Sequence, residues 1–192
     1  MARLAIFIDG GYVDQVSRRQ VPGLSIDLQK LVDRVCADVR SASHEPIDLL
    51  RSFYYTCPPF QGNPPSPQER ERTANFGKFL YALERLPRFE PRLGRLQPSG
   101  ATFIQKQVDL LLGLDIALLS GRQQITHAAL VAGDGDLVPA IVATKREGVA
   151  AWLFHGPRQS LDNGERTYSE ELWQQADERV TMDAAFWQSV TR

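Results

Sequence analysis

Residues 126–139 read THAALVAGDGDLVP, and their pattern is the clearest indication of the fold. Its apolar run, residues 126–132, predicts a strand that is buried on both faces, as the strands of parallel sheets are. The strand ends in an acidic glycine turn at residues 133–136, and a helix is predicted over residues 137–146. A buried strand that leads into a helix is the unit from which α/β sheets are built.

The rest of the chain repeats this alternation of strands and helices. The apolar run at residues 4–8 predicts a second buried strand, which stops at a tight turn formed by Asp9 and two glycines. Further strands are predicted at residues 47–56, as a glycine-broken pair within residues 88–102, and at residues 149–154. Further helices are predicted over residues 28–39, from 67 to before Pro87, and over 108–119, 169–176 and 183–190. The pattern contains no internal repeat and predicts one three-layer α/β/α domain over residues 1–192, with a mostly parallel central sheet.

Composition and charge exclude several classes of protein. The chain has 192 residues, of which 43% are hydrophobic, and a net charge of −1 from 22 Lys and Arg against 23 Asp and Glu. A chain of this length buries roughly 70% of its surface on folding, so a full hydrophobic core is expected. Intrinsic disorder, collagen and disulfide scaffolds are therefore excluded. The near-zero charge also argues against a protein coated in positive potential.

Cysteines, histidines and apolar runs indicate the compartment. Cys36 and Cys57 lack CxxC spacing, so we expect two reduced thiols rather than a disulfide or a metal site. The three histidines, His44, His127 and His155, show no ligand spacing and are interpreted as structural or surface residues. The first apolar run is too short for a signal peptide, and no run of about 18 apolar residues follows. We therefore expect a cytoplasmic protein that is not bound to a membrane.

Carboxylates gather at one predicted edge of the sheet. Asp9 follows one buried strand, and Asp134 and Asp136 follow another, so all three lie where ligands bind in parallel sheets. Asp109 falls in the first turn of its helix and can face the same edge. Taken alone, each acid is typical of a turn or a helix cap, and Asp136 in particular of a cap for the following helix. Asp115 diverges from Asp109 by roughly 120° around the helix, so it either joins this site or supports a positive partner.

The predicted cluster has a definite chemistry. Crowded carboxylates repel each other, so either some of them protonate or a cation neutralises them. Oxygen ligands without His or Cys favour Mg²⁺ or Mn²⁺, and the matching reaction is metal-assisted hydrolysis of a phosphodiester. Lys106 is a candidate for contacting a phosphate or the acids, or else a solvated lysine. A haloacid-dehalogenase type of phosphatase is disfavoured, because Asp9 lacks the second acid two residues later.

Three motifs in this order resemble the NYN domain family, in its LabA/DUF88 branch, which is a PIN-like nuclease group. They are Phe-Ile-Asp-Gly at residues 7–10, Lys-Gln-Val-Asp at 106–109 with Asp115 six positions later, and VAGDGDLVP at 131–139. The tail at residues 169–177 is also similar, so the resemblance covers nearly the whole chain. It implies a PIN-like α/β/α fold, an acidic pocket that binds Mg²⁺, and RNA as the substrate.

The resemblance also implies roles for individual residues. Asp9, Asp109 and Asp134 would be catalytic metal ligands. Asp136 would be a further ligand or a catalytic acid that positions water, and Asp115 would be a supporting acid.

Two positions differ from the family pattern. Tyr12 stands where the family usually has Asn, so a phenol replaces an amide that orients substrate or a ligand acid. Gln107 stands where Gly is frequent, which affects how closely the backbone can approach. Two functions therefore stay open: a metal-dependent endoribonuclease, and a catalytically weak RNA-binding or regulatory module that retains the fold. The sequence leaves open whether the protein is a monomer or a homodimer.

Basic and aromatic residues near the predicted site are candidates for binding RNA, because phosphates need positive contacts and unpaired bases need planar surfaces. The basic candidates include Lys106 and four residues that precede it in the sequence, Arg85, Arg88, Arg92 and Arg95. The stacking candidates are Tyr12, Phe60 and one of Tyr54 and Tyr55, whose side chains alternate across a strand. The plainer interpretation is that the arginines are solvated and the aromatic residues belong to the core.

Overall fold

Six parallel strands form a central sheet in the computed structural model, which describes residues 1–99, 102–158 and 166–192, with the backbone alone for 96–99 and 102–106. In chain order the strands are β1 (Ala2–Asp9), β2 (Ile47–Thr56), β3 (Phe89–Leu93), β4 (Arg95–Ser99), β5 (Thr102–Lys106), β6 (His127–Val131), β7 (Ala150–His155) and β8 (Glu178–Thr181). The order across the sheet is β3-β2-β1-β6-β7-β8, while β4 and β5 form a separate antiparallel hairpin.

Helices cover both faces of the sheet. In chain order they are α1 (Gly10–Gln20), α2 (Leu28–Ser43), α3 (Pro67–Leu83), α4 (Val108–Gly121), α5 (Val138–Arg146), α6 (Glu170–Gln175) and α7 (Ala184–Ser189). Side chains of α1, α2, α3 and α7 share a core with Ile6 and Ile8 of β1, and those of α4, α5 and α6 share a second core with Ala5 and Phe7. Alternate residues of β1 thus serve both cores, which confirms the predicted α/β/α fold and the strand buried on both faces.

The strand order creates a crevice beside β1. From β1 the chain builds outward through β2 and β3, and it then returns past β1 to form β6, β7 and β8 on the other side. The helices that follow β1 and β6 therefore cover opposite faces, with α1 on one face and α5 on the other. Ligands of open α/β sheets bind at such a switch point, beyond the carboxyl ends of the strands. The fold thus offers a candidate site between the ends of β1 and β6.

Three elements differ from the sequence prediction. The prediction of a tight turn after Asp9 is wrong, because α1 begins directly at Gly10 and buries Tyr12 and Val16 on its inner face. The strand pair predicted within residues 88–102 is wrong in its pairing, since β3 joins the main sheet and β4 pairs with β5. The strand β8 is missing from the sequence prediction because it has no buried apolar run. It lies at the edge of the sheet and is held to β7 through its backbone.

The structure also bears on the cysteines and on membrane association. Cys36 and Cys57 are both buried and are not joined in a disulfide, in agreement with the expectation of two reduced thiols. Within the ranges that the structure describes, no helix is long and apolar enough to cross a membrane.

Candidate active site

Asp9 ends β1 and caps α1, and this places its carboxylate at the crevice. Its Oδ1 accepts a hydrogen bond from the Tyr12 N–H at 3.2 Å, an N-cap interaction. Gly10 is needed there because an added Cβ would lie 2.6 Å from the ring of Tyr54, which is buried against it. The strand therefore passes into the helix without a loop, and both elements hold Asp9 in place.

Asp134 follows β6 and is held by the turn that it closes. Its Oδ1 accepts a hydrogen bond from the Asp136 N–H at 2.9 Å and so caps a single 3₁₀ turn, Gly135–Leu137. The N-cap of α5 is Leu137, so the interpretation of Asp136 as the cap of that helix is wrong. Asp134 and Asp136 are both exposed, and the carboxylate of Asp134 is available to a ligand in the crevice.

The two glycines of the acidic turn are required by the segment that passes over it. A Cβ at Gly133 would lie 2.4 Å from the Thr167 carbonyl oxygen and 2.5 Å from the ring of Tyr12. A Cβ at Gly135 would lie 2.9 Å from the Ser169 hydroxyl oxygen. The Ser169 N–H donates to the Gly133 carbonyl at 2.8 Å, which fixes this close approach. The glycines thus allow the segment before α6 to form one wall of the site.

Gly133→Ala is expected to lower the free energy of unfolding by about 1–3 kcal/mol, since the new methyl group would overlap a backbone carbonyl that cannot rotate away. Urea unfolding followed by circular dichroism measures the change. Gly77→Ala, in the middle of α3 with open space around it, is the matched control and should instead gain about 0.5–1 kcal/mol. A Gly133→Ala variant as stable as the parent protein would contradict the close approach.

Asp109 lies in the first turn of α4, where the helix dipole favours a carboxylate. The residue before the helix, Gln107, has a φ of 76°, in the left-handed region that favours glycine. A side chain in this conformation costs roughly 1–2 kcal/mol. The frequent Gly of the NYN pattern at this position thus has a conformational reason, and Gln107 adopts the same backbone turn at that cost.

Three of the four predicted acids surround one cavity. Asp9, Asp109 and Asp134 come from three different elements and line a cavity of about 360 Å³ at the carboxyl edge of β1 and β6. Asp136 lies beyond its rim, although its charge helps to raise the pKa of Asp109. The structure therefore brings Asp9, Asp109 and Asp134 together at the cavity, whereas Asp136 is exposed and is not part of the lining.

The carboxylates of the cavity oppose each other's ionisation. The pKa of Asp9 is raised from the ordinary value of 3.8 to about 6. Burial is the main cause, the charges of Asp109 and Asp134 add to it, and the hydrogen bond from the Tyr12 N–H partly offsets it. Burial and the charge of Asp134 likewise raise the pKa of Asp109. A site that concentrates negative charge in this way favours a bound cation.

The residue types that line the cavity offer oxygen ligands, which suit a hard divalent cation. Among the residues that the structure describes, the ionisable groups that line the cavity are three carboxylates and one tyrosine, without His or Cys. Among the described residues no group of three or more His, Cys, Asp or Glu is close enough to hold a metal ion directly. Mg²⁺ usually retains several waters and binds proteins through one or two carboxylates, so this wider spacing suits it better than an ion that needs a closed cage.

Two polar residues of the cavity are not among the predicted site residues. Gln15 lines it from α1 and Thr167 from the segment before α6. Gln15 could have been found, because it follows Tyr12 by three positions and such residues share one face of a helix. Thr167 has no local signal, since its place depends on packing against Gly133.

Tyr12 is a structural residue of this site as well as part of its lining. It is buried, and its hydroxyl oxygen accepts a hydrogen bond from the Gly156 N–H at 2.9 Å. Burial raises its pKa to about 12. The phenol therefore ties α1 to the end of β7, and its buried ring is not free to stack on a base.

Tyr12→Phe is expected to destabilise the protein by about 1–3 kcal/mol, because the buried Gly156 N–H would lose its acceptor. Thermal unfolding measures this loss. The matched control is Tyr81→Phe, which removes a hydroxyl from a side chain that is 61% exposed and should change stability by less than about 0.5 kcal/mol. Equal stabilities of the two variants would show that the Tyr12 hydroxyl does not contribute to the stability of the fold.

Asp115 lies outside the cavity and has a positive partner. Its Oδ2 accepts a hydrogen bond from the Tyr55 hydroxyl at 2.9 Å and lies 3.1 Å from the Arg92 Nε. Arg92 also pairs with Glu90 at 2.9 Å. Of the two interpretations of Asp115, the structure shows the one in which it supports a positive side chain, and it places Arg92 in ion pairs rather than at the cavity.

The remaining basic candidates are spread over both edges of the sheet. Arg88 precedes β3 and pairs with Asp48 at 2.7 Å, so it lies at the amino edge, opposite to the cavity. Arg95 follows β3 and is exposed at the carboxyl edge. The side chain of Lys106 lies outside the described part of the chain. Only Arg95 of these three is placed by the structure on the edge that carries the acids.

The aromatic candidates are mostly committed to the core. Tyr54 and Tyr55 are both buried, one in each core, so neither can stack on a base. Phe60 is partly buried in the loop after β2. Arg85 lies over the ring of Tyr81 at 4.3 Å, on the exposed side of α3.

The parallel α/β/α fold with carboxylates at its switch point is consistent with the PIN-like class of proteins. A family model of the NYN domain matches residues 3–183, so the chain belongs to the NYN domain family, a family of PIN-like nucleases. A similar solved structure is the crystal structure of VPA0982, a protein of unknown function from Vibrio parahaemolyticus RIMD 2210633. It has a TM-score of 0.58 and 17% sequence identity, and the match covers 100% of this chain and 96% of that one. This likeness shows a shared fold alone. No curated protein matches the chain.

Proposed function

We propose that the protein is a metal-dependent ribonuclease that hydrolyses phosphodiester bonds of RNA, as a member of the LabA/DUF88 branch. The observation that carries this proposal is the convergence of Asp9, Asp109 and Asp134 on one cavity in a chain of the NYN family. These three residues come from two strand ends and one helix start, and they concentrate negative charge where ligands of this fold class bind.

Asp9, Asp109 and Asp134 would hold Mg²⁺ or Mn²⁺. When bound, such an ion would lower the pKa of water and neutralise charge on the phosphate. The protein's own part is to hold the carboxylates in place. Asp9 is fixed by its cap on α1, and Asp134 by its cap on the 3₁₀ turn, so neither needs to be ordered when substrate arrives.

Other residues of the edge would act on the substrate and on water. Asp136, which is exposed, would accept a proton from water at this edge or position that water. Gln15 offers an exposed amide from α1 for hydrogen bonds to the phosphate and the sugar, whereas the hydroxyl of the buried Thr167 already donates to the Pro157 carbonyl at 2.8 Å. Arg95 is the predicted basic residue on this edge. With a net charge of −1, we expect modest affinity for bulk RNA and a dependence of binding on the metal.

The test is cleavage of 5′-labelled RNA, both single-stranded and hairpin-containing, by the purified protein with Mg²⁺, with Mn²⁺ and with EDTA. Cleavage is expected with either ion and is expected to stop in EDTA. Cleavage that continues in EDTA would overturn the proposal. RNA that is bound but never cut with either ion would favour the alternative of an RNA-binding module, for which the phenol at position 12 in place of the family Asn is the motivating feature.

A further inference from the structure

A second and larger cavity adjoins the acidic one. It has a volume of about 640 Å³ and lies between the start of α1, the carboxyl end of β2 and the inner face of α3. Gly11 lines both cavities, so the two are neighbours on the same edge of the sheet. A volume of this size falls within the range of roughly 300–1,000 Å³ that is usual for ligand sites in proteins. We call it the α1–α3 groove.

One face of α3 gives the groove its chemistry. Arg72, Asn75, Phe76 and Phe79 all line it, and their spacing of three and four residues places them on one side of the helix. The helix α3 is unusually exposed, because Leu83 is the one fully buried residue among its 17 described residues. Phe76 and Phe79 remain only partly buried. The helix thus keeps aromatic surface open toward the groove instead of burying it in the core.

Among the described residues that line the groove, the cations are Arg18 and Arg72, and they differ in their partners. Arg18 lies 3.6 Å from Asp14 of its own helix, and both side chains are exposed and line the groove. Arg72 is exposed on the opposite wall, where its Nε lies 3.4 Å from the Gln68 carbonyl oxygen of its own helix. A guanidinium beside a partly open aromatic ring is the combination that binds a phosphate and stacks on the adjoining base.

We propose that the α1–α3 groove binds an unpaired nucleotide of the RNA strand, next to the phosphodiester that lies at the acidic cavity. The ring of Phe76 stacks on the base, Arg72 contacts a phosphate, and the Asn75 amide reaches the edge of the base. This inference rests on the proposed ribonuclease function. It specifies the substrate further, because a base can stack on a side chain only when it is free of its pairing partner.

The first experiment measures binding separately from cleavage. A 5′-fluorescein-labelled oligouridylate of 12 nucleotides is titrated with protein that carries Asp134→Asn, in Mg²⁺, and anisotropy is recorded. On this background Phe76→Ala is expected to weaken binding about tenfold, which is the size of one lost base stack, and Arg72→Ala several-fold. Phe76→Leu keeps an apolar contact with Phe79 but has no aromatic face, so it should lose as much affinity as Phe76→Ala.

Two controls on the same helix separate the groove from general effects. Tyr81→Ala removes an exposed aromatic ring from α3, and Lys78→Ala removes an exposed positive charge, and neither residue lines the groove. Both variants should bind the oligonucleotide as the background protein does. Thermal unfolding of all variants confirms that α3 is folded.

The second experiment locates the base. One nucleotide at a time is replaced by an abasic residue, and one position is expected to weaken binding about tenfold in the background protein but not in Phe76→Leu. Three outcomes would overturn the inference. The Phe76 and Arg72 variants could bind as tightly as the background protein, the abasic effect could persist without Phe76, or the oligonucleotide could fail to bind at all. If the wild-type protein cuts RNA but the groove variants bind the oligonucleotide as tightly as the background protein, the ribonuclease function stands and the groove inference fails. RNA bound through Phe76 but never cut would overturn that function and leave the groove standing.

Discussion

Asp134→Asn is expected to reduce cleavage of RNA more than 100-fold and to leave the fold intact. The loss should exceed the roughly 10- to 100-fold effect of removing an outer-shell partner of a metal ligand, because Asp134 would itself be a ligand. The fold should survive because the Asn Oδ1 can still accept the Asp136 N–H that caps the 3₁₀ turn. Initial rates on labelled RNA in Mg²⁺, together with circular dichroism, measure both parts of this prediction.

The control for this variant is Asp33→Asn, which removes one exposed carboxylate from α2, remote from the cavity. It should cleave at the parent rate. Asp136→Asn should fall between the two, because Asp136 lies outside the cavity but acts electrostatically on Asp109. If Asp134→Asn retained the parent rate, the carboxylate that faces the crevice would have no part in the reaction, and the proposed function would fail.

The sequence correctly predicted the elements whose burial follows from a local pattern of apolar residues. Continuous apolar runs gave β1 and β6, because a strand covered on both faces needs no polar alternation. The meeting of Asp9 and Asp134 followed from the same reasoning, since the carboxyl ends of parallel strands share one edge. The prediction needed only that the two strands belong to one parallel sheet, and the structure makes them direct neighbours.

The elements that escaped prediction are those that break local rules. Two glycines after Asp9 are typical of a turn, but here Gly10 is required by the Tyr54 ring and the chain is already helical. The strand β8 pairs with β7 through backbone hydrogen bonds, and its side chains carry little apolar signal. In both cases a partner distant in sequence decides the local conformation, and no window of neighbouring residues contains that partner.

The basic residues show a different limit of sequence reasoning. Arg88, Arg92 and Arg95 are close in the sequence, but they stand before, within and after β3. A strand of five residues separates its two ends by about 16 Å, so proximity in sequence spreads these arginines from one edge of the sheet to the other. Only the side chain after the strand can reach the edge that holds the acids. Position relative to strand direction therefore predicts more than clustering does.

Asp9→Asn is expected to stabilise the protein in EDTA by about 2–3 kcal/mol at pH 7.5, although it should abolish metal-dependent activity. The pKa of Asp9 lies near 6 in the folded chain against 3.8 ordinarily, so folding must bury a charge at neutral pH. Each unit of such a shift corresponds to about 1.4 kcal/mol. Asn has nearly the same shape and caps a helix as well as Asp does, so the Tyr12 N–H keeps its acceptor.

The sign of the pH dependence follows from the raised pKa. Well below pH 3.8 the carboxyl is protonated in both the folded and the unfolded chain, so the variant should gain nothing there, and at pH 4 it should gain only a small part of the full difference. Between about pH 4 and 6 the folded chain holds the proton more tightly, and the stability contributed by Asp9 in the parent protein falls as the pH rises. Above about pH 6 to 7 the full cost is present. Urea unfolding at pH 4 and pH 7.5 measures the difference between the two proteins.

Saturating Mg²⁺ should reverse the order of stability at pH 7.5. A ligand that binds only the folded chain adds about 2.7 kcal/mol at a hundred times its dissociation constant, which roughly cancels the advantage of the variant, and about 4.1 kcal/mol at a thousand times, which exceeds it. The parent protein should gain this while Asp9→Asn gains little, so the order reverses at the higher ratio. Asp33→Asn should follow the parent protein with and without Mg²⁺. A stability difference that is the same at pH 4 and 7.5 would show that Asp9 is not a buried charge. Parent and variant proteins that respond equally to Mg²⁺ would show that it is not a ligand. The cost of keeping Asp9 ionised is thus the property that would make it bind a cation.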